Sequence, residues 1–177
     1  MNFQDSNNSR PLMKITKDKT DWTLDFLTAI GFIFIWIYSF IYFSKLPETI
    51  PTHFNLKGEI DDYGSKYTLF ILPMVVTFVF VLFRILYNYP HKFNYIVKII
   101  EENAEKQYRL ALRIMRIILM KITFLFGFII VKVVDGAYQK TSTLDWWFIP
   151  LLLLSIITPT VYMIIVSTSS KMNATQM

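Results

Sequence analysis

No cysteine occurs in the 177 residues, which excludes disulfides, thiolate metal centres and cysteine nucleophiles. Glycine is scarce as well, and its five occurrences are isolated, so there is no glycine-rich loop to cradle a phosphate. Histidine appears twice, and carboxylates are outnumbered by cations, 13 against 18, for a net charge of +5. That basic balance does not describe a nucleic-acid surface, because the Lys and Arg residues flank apolar segments instead of alternating with aromatics on a polar domain. They have the placement of topology signals.

What the chain has in abundance is apolar surface: 54% hydrophobic residues, 17% aromatic, and a mean hydropathy of +0.41. This surplus comes in blocks. Phe26 to Ser44 carries no charge, and at about 1.5 Å per residue it covers roughly 28 Å, close to a bilayer's hydrocarbon core. The sequence predicts an all-α integral membrane protein with four transmembrane helices at about 22–44, 66–88, 117–134 and 146–168, forming one domain over 21–168. Residues 1–20 and 169–177 are expected to be polar tails, the first of them mobile. A charged helix at about 97–116 is expected to run into the third span, with Glu105 four residues before Arg109 as an ion pair. Lys121 and Lys132, about three turns apart, are expected to snorkel to opposite interfaces.

The chain is organised around 45–65, the polar stretch between the first two spans. Pro47 and Pro51 stop the first helix, and Asn55-Leu56-Lys57-Gly58 has turn chemistry, which predicts a short hairpin. Too short to bury a core of its own, this loop must pack on the helix ends, on the second polar loop from Asp135 to Asp145, or on a ligand. Counting cations by side places thirteen with the termini and the charged helix and five with the two loops, so both termini are expected to be cytoplasmic and the loops outside.

That arrangement leaves little for catalysis. Asp25 and Asp135, the carboxylates nearest the ends of the first and third spans, fall at opposite faces, so they cannot share a proton as an acid–base pair. His53 falls outside and His91 inside, which rules out a shared zinc. His53 with Glu59, Asp61 and Asp62 puts one imidazole among loop carboxylates, a pattern more often met as a hydrogen-bonded turn than as a metal site. Neither a metal nor a cofactor is expected, and the reading is non-enzymatic.

Two blocks of residues resemble a known family. Leu46-Pro47, Ile50-Pro51, His53-Phe54-Asn55, Gly58, Asp61, Tyr63-Gly64 and Lys66 form the first. Pro90-His91, Phe93-Asn94-Tyr95, Glu102-Asn103-Ala104 and Gln107-Tyr108 form the second, and Ile96 departs from the pattern where proline is expected. Together they resemble the membrane family known as domain of unknown function 1648, whose better-understood relatives include the immunity protein of a sporulation-delay toxin system. The resemblance implies a recognition motif outside, made of Pro51, His53, Phe54, Asn55, Gly58, Asp61, Tyr63, Gly64 and Lys66. It implies a second motif inside, made of Pro90, His91, Phe93, Asn94, Tyr95, Glu102, Asn103, Gln107 and Tyr108. The functional expectation is a sensor or immunity-type protein of the cell membrane that meets an envelope-active peptide outside and an intracellular protein inside, with no nucleic acid involved. The alternative is a small transporter or transporter subunit.

Overall fold

The computed structural model describes residues 10–139, 144 and 147–175. Its elements are α1 (Lys19–Phe43), β1 (Thr49–Phe54), β2 (Ile60–Ser65), α2 (Ile71–Leu86), α3 (Glu101–Gln139) and α4 (Phe148–Thr175). The two strands qualify the all-α expectation: the stretch between α1 and α2 is an antiparallel ribbon.

The helix α1 begins at Lys19, three residues before the expected start at 22. Asp18 is its cap, accepting from the Asp21 amide while the Asp21 carboxylate accepts from the Asp18 amide, so the two reciprocally satisfy free donors. A single 3-10 turn (Lys66–Phe70), capped by Ser65, leads into α2. This places Pro73 in the first turn of α2, where its missing amide costs no helical bond and no kink is needed.

The charged helix and the third span are one helix of 39 residues, α3. It starts at Glu101, four residues later than the expected Val97, because Asn103 holds the preceding turn: its Oδ1 accepts from the Ile100 amide at 3.0 Å and its Nδ2 donates to the Lys98 carbonyl at 2.9 Å. At the other end α3 continues through Asp135 and Gly136 to Gln139, past the expected end at 134. Packing accounts for the extension, since Val134 and Gly136 are buried and Tyr138 donates to the Lys45 carbonyl at 3.2 Å. The rest of the expected loop to Asp145, apart from Leu144, lies outside the described residues, as do Trp146 and residues 1–9, 176 and 177.

Three helical stretches, Lys19–Phe43, Lys66–Leu86 and Glu101–Gln139, are long and apolar enough to cross a membrane. Their outward faces are apolar: Phe26, Ile30, Ile33 and Ile37 of α1 and Met74, Phe78, Val81 and Ile85 of α2 are all exposed. An uncovered belt of that size is untenable in water and suited to lipid. Inside, α1 and α3 approach through small residues, as membrane helices do. A Cβ on Gly31 would stand 3.0 Å from Thr123 Cγ2, and the buried hydroxyls of Thr28, Ser39 and Thr123 each donate at 2.8 Å to the carbonyl four residues back. An aromatic seam joins α1 to α2, with Trp36, Phe40 and Phe43 about the Phe70 ring and Trp36 Nε1 donating to Thr77 Oγ1 at 3.1 Å. Lys121 bridges α3 and α4, its Nζ donating to Thr158 Oγ1 of α4 at 3.0 Å.

Candidate functional site

The ribbon between α1 and α2 turns at Asn55–Gly58, where Asn55 Oδ1 accepts from the amides of Lys57 and Glu59 at 2.8 and 3.0 Å. Gly58 adopts φ +81°, the left-handed region that costs glycine least. Its amide donates to Asn55 and its carbonyl accepts from the Leu144 amide at 2.7 Å, so the tip is tied to the segment preceding α4. The base is apolar. Leu46, Ile50 and Leu69 are buried with Val76 of α2 and Ile130, Val133 and Val134 of α3, which secures a two-stranded ribbon that would be marginal by itself.

The structure therefore divides the outer motif into two sets. Pro51, Gly58, Gly64 and Lys66 belong to the scaffold: Pro51 and Gly58 are buried, a Cβ on Gly64 would come within 2.8 Å of Thr52 Cγ2, and Lys66 Nζ donates to Glu48 Oε1 at 2.9 Å. Phe54 packs against the base. His53, Asp61 and Tyr63 instead face outward, with His53 Nδ1 and Asp61 Oδ1 2.6 Å apart, and beside them Asn55 Nδ2 donates to Glu59 Oε2 at 3.0 Å. Irregular pairing on either side of His53 twists the ribbon there. The tip is a row of polar groups on a fixed base, with an imidazole and carboxylates able to exchange hydrogen bonds with a ligand.

The second motif gathers at the far end of α3. The Tyr95 and Tyr108 rings lie 5.6 Å apart, Tyr95 donates to the Pro90 carbonyl at 2.8 Å, and burial pushes the Tyr95 phenol well above its ordinary value. Gln107 and Pro90 are buried here, and Phe93 stacks near Tyr95, whereas Asn94 and Glu102 are exposed. What covers this cluster is the segment expected to be a mobile tail. Residues 10–18 lie along α3: Arg10 donates to the carbonyls of His91 and Phe93, Tyr108 donates to the Pro11 carbonyl at 3.1 Å, and Arg109 donates to the Thr16 carbonyl at 2.9 Å. Met13 and Ile15 pack against the cluster of Ile99, Ala104 and Tyr108. The signal was the alternation Met13-Lys14-Ile15-Thr16, in which the apolar members turn inward and the polar ones outward.

Next to this strap is an ionic cluster that pattern reading missed. Arg113 pairs with Asp18 and Asp21, and Arg116, only 5% exposed, lies 3.5 Å from Asp21 Oδ1 and 3.3 Å from Asp25 Oδ1. Lys17 pairs with Asp25. Its members come from three segments, which no single helical period could reveal.

Residues 30–77, the stretch that contains most of α1, the whole ribbon and the first turns of α2, match the family described as "Domain of unknown function (DUF1648)". The match coincides with the ribbon and the helix ends that form its base. A protein of Archaeoglobus fulgidus described as "Uncharacterized protein" is 47% identical over 49 residues, which are 28% of this chain and 27% of that protein. The chain thus matches about a quarter of that relative's length. No solved structure matches the chain.

Proposed function

We propose that this chain is a non-enzymatic membrane sensor of immunity type, with four spans, both termini in the cytoplasm and the ribbon of 45–65 outside the cell membrane. Its outer ligand is an envelope-active peptide, met by the polar tip around His53, Asn55 and Asp61. Its inner partner is an intracellular protein that docks at the strap and the 90–108 segment. The observation that carries this reading is the continuity of α3: Val133 and Val134 lie under the ribbon and Tyr108 lies under the strap, on one helix without a break. The stretch of α3 from Tyr108 to Val133 extends about 38 Å, more than the bilayer's apolar thickness, so one unbroken helix is long enough to reach from one surface to the other. Supporting the fourth span is α4, a 28-residue helix whose Leu151, Leu153, Leu154 and Ile157 are exposed. The side assignment rests on the cation asymmetry.

Single cysteines at Asn55, Gln139, Asn103 and Asn173 test the arrangement. The chain has no native cysteine to interfere. A membrane-impermeant maleimide applied to intact cells is expected to label the first two and spare the last two. Labelling at Asn103 would reverse the assignment of inner and outer motifs.

A further inference from the structure

At the strap end of the molecule a cavity of about 840 Å³ opens between residues 12–17, the end of α2 and the middle of α3. Its charged walls are Lys14, Lys17, Arg84 and Arg116, joined by His91, and no carboxylate is among the lining residues described. The carboxylates nearby are already engaged. Asp18, Asp21 and Asp25 face Lys17, Arg113 and Arg116, three against three. This leaves Lys14 and Arg84 without an ion-pair or hydrogen-bond partner for their side chains among the described residues.

Two further atoms lack hydrogen-bond partners among the described residues. The Tyr87 hydroxyl is buried with no hydrogen bond, although Tyr87 lines the cavity, and burying a hydroxyl unpaired is costly. Arg116, with its guanidinium 5.0 Å above the Tyr87 ring, has its Nε at ion-pair distance from Asp25 but outside hydrogen-bond geometry. A ligand oxygen that reached either atom would supply the hydrogen bond it lacks. The position narrows its chemistry: α2 ends at Leu86 and α1 starts at Lys19, so the cavity stands where apolar spans meet the headgroup layer. Trp22, with Lys17 Nζ 4.5 Å over its ring, forms the rim.

We infer that this cavity binds an anionic phosphate group, carried by a lipid headgroup or by a free phosphoester. Arg84 and Lys14 neutralise it, the Tyr87 hydroxyl donates to one of its oxygens, and Arg116 is held in place for it by Asp21 and Asp25. A choline headgroup is disfavoured, because its ammonium would meet the cationic rim.

Native mass spectrometry of the purified full chain in detergent tests this with phosphatidylglycerol, phosphatidylcholine and glycerol 1-phosphate. Phosphatidylglycerol is expected to stay bound in preference to phosphatidylcholine, with Arg84→Gln weakening it about tenfold. Lys106→Gln, which removes an exposed cation elsewhere on α3, is expected to change binding by less than about twofold. Tyr87→Phe keeps the ring beneath Arg116 and is expected to weaken binding while leaving the thermal midpoint of the lipid-free protein unchanged or raised. Retention of glycerol 1-phosphate with the same dependence on Arg84 would place the source of the phosphate in solution. Equal binding by the Arg84→Gln and Lys106→Gln proteins would overturn the site. So would no preference for phosphatidylglycerol combined with no retention of glycerol 1-phosphate.

Discussion

Gly58 meets two demands at once, a left-handed backbone and contact with Leu144. A Cβ there would lie 2.1 Å from the Leu144 carbonyl oxygen, so alanine can fit only if the ribbon tip and the 144 segment separate. Gly58→Ala is expected to cost about 1–3 kcal/mol. The measurement is trypsin cutting after Lys57 in right-side-out vesicles, faster in the variant; an unchanged rate would deny that Leu144 holds the tip. His53 is the opposite case, since its side chain is 65% exposed and its pairing with Asp61 stands in solvent. His53→Gln is expected to lower stability by no more than about 1 kcal/mol and, on the function proposed above, to weaken any response to an envelope-active peptide. Loss of expression or insertion in this variant would make His53 part of the scaffold.

At the scale of elements, the strap is fastened by charge as well as by packing. The Asp21 amide donates to Asp18, and Arg113 pairs with it, which together hold the Asp18 carboxyl below its ordinary value of 3.8. A depressed carboxyl contributes stability above its unfolded value and loses it as pH falls through the folded one. Acidification below the ordinary carboxylate range is therefore expected to free the strap, read as increased mobility of a spin label at Leu12, an exposed position. A label equally mobile at pH 7 and pH 3 would show that packing alone holds it. Elements of this kind differ in how far the sequence discloses them. The three helical stretches long and apolar enough to cross a membrane were legible because lipid demands long uncharged helices, and the ribbon because Pro47, Pro51 and Asn55–Gly58 forbid helix. Helix ends were less so: Asn103 delays α3 and Gly136 fails to stop it, both through contacts made by folding. The strap and the Arg116 cluster depend on residues roughly 90 positions apart, beyond the reach of any local pattern.

For the whole molecule, the close crossing of α1 and α3 at Gly31 is the pivot about which both ends are arranged. Gly31→Leu would force the helices apart at Thr123, an overpacking that costs about 1–3 kcal/mol. Because α3 is unbroken, the expected result is loosening at both ends: faster cutting after Lys57 from outside, and faster cutting between Pro90 and Arg116 in inside-out vesicles. Loosening confined to one end would dissociate the ribbon from the strap and remove the basis for sensing through α3.

The strap also has a history within each molecule's synthesis. Arg10, Lys14 and Lys17 leave the ribosome with the first span, while Tyr108, Arg109 and Arg113, which later hold that segment, are translated roughly 90 residues afterwards. At about 5–20 residues per second this leaves an interval of roughly 5–20 s in which those cations are undocked and can retain the N-terminus on its side of the bilayer. Only when α3 arrives can Tyr108 and Arg109 bond the carbonyls of Pro11 and Thr16 and dock the segment. On the orientation proposed above, the same segment acts twice, as a signal for orientation while the chain is incomplete and as a clasp once it is whole.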